Sequence, residues 1–125
     1  MTNRNTARPP VPAWGAALVL AVLLACGCGS SASSAASATQ NTCQQVSAVL
    51  SDGPDPGADP VGYAEAQILP LRQISSANPA LRTAIGQLAD AYQQFFASDG
   101  KSSTAAKAVA VASSKLNSIC PGAAS

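Results

Sequence analysis

The sequence predicts an all-α fold: a small up-and-down bundle of three or four helices stapled by one disulfide. Three observations carry this expectation. From Cys43 to Gly122 the apolar residues recur at helical intervals, and no stretch has the alternation or the β-branched and aromatic enrichment of a strand. Asp59-Pro60 and Asn78-Pro79 each place a capping side chain just before a proline, as at the start of a helix. Cys43 opens the first periodic segment and Cys120 closes the last, so one bond between them would join the two ends of the domain.

The first helix is expected from about Thr42 to Leu50, with Val46, Val49 and Leu50 on one stripe. It should dissolve into Asp52-Gly53-Pro54-Asp55-Pro56-Gly57, where glycine permits positive φ and each proline deletes a donor. The second starts at the Asp59 cap and aligns Ala64, Ile68 and Leu71. Pro70 interrupts it, because the ring clashes with the Ala66 carbonyl, and a kink or a break is expected near Leu69. The third has Leu81, Ile85, Leu88, Tyr92, Phe95 and Phe96 on one face and ends at Asp99-Gly100. The fourth begins near Ser103, and Val109, Ala112, Leu116 and Ile119 form its seam before Cys120-Pro121-Gly122 closes it. Short connections between such helices favour an up-and-down bundle, of four helices or of three with the first docked as an arm.

The core looks thin. Residues 43–122 contain only 17 Val, Ile, Leu and Phe, close to the level at which compositions resemble disordered chains. The Cys43–Cys120 bond is therefore read as a structural staple; with no CxxC and no histidine in the chain, redox and metal roles have little to support them.

The N-terminus reads as an address. Residues 1–12 carry Arg4 and Arg8 without an acid, and residues 13–25 form an apolar run of 13 residues, short of the roughly 20 that span a bilayer. The run ends in Leu23-Leu24-Ala25-Cys26, which resembles the lipobox of bacterial lipoproteins: a branched apolar residue at −3, a small residue at −1 and an obligatory cysteine. Leu24 stands where that family usually has a small residue. The resemblance covers residues 1–26 and implies removal of 1–25, a diacylglyceryl thioether on Cys26 and an acylated amino terminus such as a palmitoyl amide. It places the protein at the cell membrane, lipid-anchored on the extracytoplasmic face. Cys28 is the rival acceptor, but its preceding Ala25-Cys26-Gly27 lacks the branched residue. Plain secretion after Ala36-Ser37-Ala38 is the competing reading. The alanine-rich, lysine-poor composition also resembles that of proteins from GC-rich actinobacterial genomes.

Residues 27–42 contain no charge, aromatic ring or large aliphatic, so residues 26–42 are expected to be a lipidated cysteine and a disordered tether, spanning roughly 20 to 24 Å as a flexible chain. Residues 43–122 are the helical domain, and 123–125 a frayed tail.

Composition narrows the function. There is no histidine, which removes the commonest general base and metal ligand. The formal charge is +1, and beyond residue 25 five cations face six acids, so nucleic acid has no basic surface to bind. Asp52, Asp55, Asp59 and Glu65 invite a calcium reading, yet their spacing lacks the alternation of an EF-hand loop. No serine sits in a G-x-S-x-G turn. Neither a catalytic residue, a metal nor a cofactor is expected. Binding remains, with the surface formed by Leu69, Pro70, Tyr92, Phe95 and Phe96 as its expected location. An envelope protein partner is the first reading, and a small apolar ligand held near the second helix is the alternative.

Overall fold

A computed structural model of the protein describes residues 30–124 and contains four helices in a bundle: α1 (Ser30–Leu50), α2 (Pro60–Gln73), α3 (Pro79–Ala97) and α4 (Ser103–Ile119). Among the described residues there is no strand. Residues 1–25, Cys26 and Cys28, on which the addressing expectations rest, lie outside the described residues.

α3 is the centre of the bundle and packs against both α2 and α4, whereas α1 leans mainly on α2. Leu81, Ile85, Leu88 and Tyr92 of α3 are buried together with Leu71 of α2, Leu116 of α4 and Val46 of α1. Alanine fills much of the remainder: Ala64, Ala84, Ala89, Ala91 and Ala112 are all buried. Small side chains let helix axes approach closely, so contact is made with little aliphatic bulk. A count restricted to Val, Ile, Leu and Phe therefore understates this core. Phe96 departs from the expected face: it is 38% exposed, because one residue beyond Phe95 the helix has turned by about 100° away from the core.

The caps form as the sequence predicts. Asp59 Oδ1 accepts from the Gly62 N–H at 2.8 Å, and Asn78 Oδ1 accepts from the Ala80 and Leu81 N–H groups at 3.0 and 3.2 Å. Ser102 caps α4 by accepting from the Ala105 N–H at 3.1 Å. α3 ends in left-handed backbone at Asp99 (φ 51°) and Gly100 (φ 70°).

Three expectations about order need correcting. The first helix begins at Ser30, so residues 30–42 of the expected tether are helical. Alanine has the highest helix propensity, and the hydroxyls of Ser37, Thr39 and Thr42 each donate to the carbonyl four residues back, so these polar side chains join the helix. This part of α1 projects from the bundle: Ala32 to Ala38 are exposed, and Thr42 is the first buried residue. Pro70 does not break α2, which runs on to Gln73. The proline removes one donor within the last turn, where few intrahelical bonds remain to be lost, and the next residue, Leu71, is anchored in the core. The tail at Ala123 and Ala124 is not frayed. Ala123 is buried, and Asn117 holds Ala124 at both ends, Nδ2 donating to its carbonyl at 3.1 Å and Oδ1 accepting from its N–H at 2.8 Å.

The Sγ atoms of Cys43 and Cys120 lie 1.95 Å apart, with their Cα atoms separated by 5.4 Å and 77 positions in sequence. The pair ties α1 to the end of the chain.

Candidate functional site

The loop between α1 and α2 is drawn onto α2 by two side chains. The Tyr63 hydroxyl donates to the Leu50 carbonyl at 2.7 Å, and Gln67 Nε2 donates to the Asp52 carbonyl at 2.6 Å. Gln67 is only 1% exposed, and its Oε1 is buried with no hydrogen-bond partner among the described residues. The loop brings Pro56 beside the rings of α2 and α3, next to Pro60 at the start of α2.

A pocket of about 280 Å³ results, lined by Pro56, Pro60, Tyr63, Tyr92, Phe95, Ala106 and Val109. The first turn of α2, the last two turns of α3 and the first half of α4 each supply a wall. The rings of Tyr63 and Tyr92 meet edge to face, with centroids 5.8 Å apart and planes at 83°. Gly100 secures the far side. A Cβ there would lie 3.0 Å from Val61 Cγ2 and 3.4 Å from Phe95 Cζ, so a positive φ and close packing both require glycine.

No charged side chain lines this pocket. Burial raises the pKa of both phenols above the usual tyrosine value. The shift is larger at Tyr92, where after burial the proximity of Tyr63 acts in the same direction and a hydrogen bond with Ser113 opposes it. Both hydroxyls are therefore neutral in ordinary conditions, and the pocket offers ring surface and aliphatic carbon.

Of the five residues expected to form a binding surface, Tyr92 and Phe95 meet in this pocket and the other three do not. Phe96 faces outward. Leu69 is 67% exposed on α2, and Pro70 lines a separate cleft of about 130 Å³ with Val49, Asp52, Gly53, Ala66 and Gln67. The reason is helical geometry: the pocket uses the first turn of α2, and Leu69 lies six residues beyond Tyr63, about 9 Å along the axis. Tyr63, Pro56, Pro60, Ala106 and Val109 were not singled out as site residues by sequence. The signal available was Tyr63 itself, the one large ring of residues 43–122 outside α3, placed directly after a capped helix start.

The remaining features carry less chemistry. A larger depression, about 720 Å³, lies beside the Cys43–Cys120 pair, but it is bounded mostly by small and polar residues, including Ala35, Thr39, Gln40 and Ser47. In the acidic loop, Asp52 accepts from the Gly53 N–H, Asp55 from Gly57 and Asp59 from Gly62, so each carboxylate serves its own turn. No group of three His, Cys, Asp or Glu is gathered among the described residues, and no helix there is long and apolar enough to cross a membrane. No family model, curated protein or solved structure matches the chain.

Proposed function

We propose that this chain is an exported lipoprotein, anchored through acyl chains on Cys26 at the extracytoplasmic face of the cell membrane, whose disulfide-stapled helical domain acts by binding an apolar group and not by catalysis. The observation that carries the binding reading is the aromatic pocket between α2, α3 and α4, a concave apolar site whose walls come from three helices and include no charge. The anchoring reading rests on the Leu23-Leu24-Ala25-Cys26 motif. Binding is tested by extracting small molecules from the full chain purified from membranes and comparing it with an Ala106→Phe variant, in which an exposed alanine at the pocket becomes a ring that fills it. Mass spectrometry is expected to find an apolar compound with the parent chain and to lose it with the variant. Identical extracts from both chains count against the reading.

The anchor has its own expected result. Cys26→Ser should abolish metabolic acyl labelling and release the protein from the membrane fraction. Labelling that persists on Cys28 overturns the assignment, and an unlabelled parent chain returns the protein to plain secretion.

A second reading is favoured by one observation. Leu69, two-thirds exposed beside Pro70, is a large apolar side chain offered to solvent, as a contact with an envelope protein requires.

A further inference from the structure

We infer that the pocket is selective for a flat, uncharged molecule of one or two rings, an inference that rests on the binding reading above and specifies its ligand. A cavity of about 150 Å³ lined by apolar side chains holds a benzene molecule, and drug-sized ligands occupy about 300 to 1,000 Å³. At about 280 Å³ the pocket lies between these, enough for one ring or two fused rings and short of a long chain.

Shape comes next. Tyr63, Tyr92 and Phe95 contribute three rings, and Pro56 and Pro60 add two flat aliphatic ones, from seven lining residues. Tyr63 and Tyr92 already stand edge to face at 83°. Such a corner presents two ring faces at right angles, and a third planar ring lying in it can stack on one and point its edge at the other, the arrangements that aromatic pairs prefer. A flexible alkyl chain gains no comparable geometry there and loses rotamer freedom on entering.

Polarity completes the case. The Tyr63 hydroxyl is committed to the Leu50 carbonyl, and the Tyr92 ring packs edge to face against Tyr63, so the pocket presents mainly ring carbon. With no lysine, arginine or acid among the lining residues, an ionised ligand would lose hydration without compensation. The walls are also fixed in place: the Tyr63 bond ties α1 to α2, and Gly100 packs against both Val61 and Phe95. A preformed site favours a rigid ligand, since little ordering is left for either side.

The test uses a property of the sequence. The chain has two tyrosines, Tyr63 and Tyr92, and both line the pocket, so every tyrosine signal reports on it. The full chain, labelled with ¹³C in its tyrosine rings and reconstituted in phosphatidylcholine nanodiscs, is titrated with toluene, indole, octane and benzoate. Toluene and indole should shift both signals saturably, octane at equal concentration should bind at least tenfold more weakly, and benzoate should have no effect. Ala106→Phe should weaken the response to toluene more than tenfold, while Ala110→Phe, on an exposed part of α4 outside the pocket, should leave it intact. A melting midpoint close to that of the parent verifies the fold of each variant. Octane or benzoate binding as well as toluene overturns the ring inference and leaves the binding reading standing. Silence of both tyrosines towards every probe overturns both.

Discussion

Reduction of the Cys43–Cys120 pair should lower the stability of the domain by about 4 to 5 kcal/mol, the loop-closure entropy expected for a bond that spans 77 positions. For a domain of this size that corresponds to a fall of about 15 to 30 °C in the melting midpoint. The loss should be unevenly distributed. α2 and α4 each pack on α3, but α1 leans mainly on α2 and is otherwise held to the end of the chain by the two cysteines. Amide exchange in the reduced protein should therefore accelerate first in α1 and in the segment from Cys120 to Ala124, with Leu81 to Tyr92 the last to open. A Cys43→Ala, Cys120→Ala double variant should behave in the same way. A melting midpoint unmoved by reduction would show that the alanine-rich core suffices alone.

Leu71→Asp is expected to unfold the bundle, and Leu69→Asp to leave it folded. Leu71 is 0% exposed among the side chains of the central cluster, so a carboxylate there is buried without a partner and the contacts of a leucine are lost as well. The cost of these two effects is about 4 kcal/mol or more, a large share of the stability of a small domain. Leu69 is 67% exposed, and substitution at such a position usually changes stability by less than about 0.5 kcal/mol. Circular dichroism melting distinguishes the two directly. Similar destabilisation by both changes would place Leu69 in the core and remove the support for a partner contact at Pro70.

The elements were legible because their punctuation is chemical. Asp59-Pro60, Asn78-Pro79 and Asp99-Gly100 mark boundaries through capping, missing donors and positive φ, all of which act within a few residues. The cysteine pairing was legible for a related reason, since the two residues bracket the periodic segments. What the sequence concealed depends on context over longer distances. Serine and threonine in residues 30–42 resemble linker composition, but the alanines among them favour a helix, and the hydroxyls of Ser37, Thr39 and Thr42 are accommodated by bonds to carbonyls four residues back. Pro70 has the chemistry of a helix breaker, yet its place in the final turn leaves little to break. The pocket combines the beginning of one helix, the end of another and the first half of a third. Tyr92 and Phe95 could be chosen by type, but Tyr63, Ala106 and Val109 acquire meaning only once the helices are packed.

The exposed first half of α1 has a consequence for how the domain is presented. From Ser30 to Thr42 it is a rod of about 18 Å, and only residues 27–29 separate it from Cys26. A coil in this position would let the domain sample every heading; a helix gives it a phase. Relative to the start of the helix, removing one residue from this rod shortens it by about 1.5 Å and turns the pocket by about 100° around the rod axis, whereas removing seven, close to two full turns, shortens it by about 10 Å and nearly restores the pocket's heading. The polar, featureless stretch before Cys43 thus fixes the heading of the aromatic pocket relative to the start of α1.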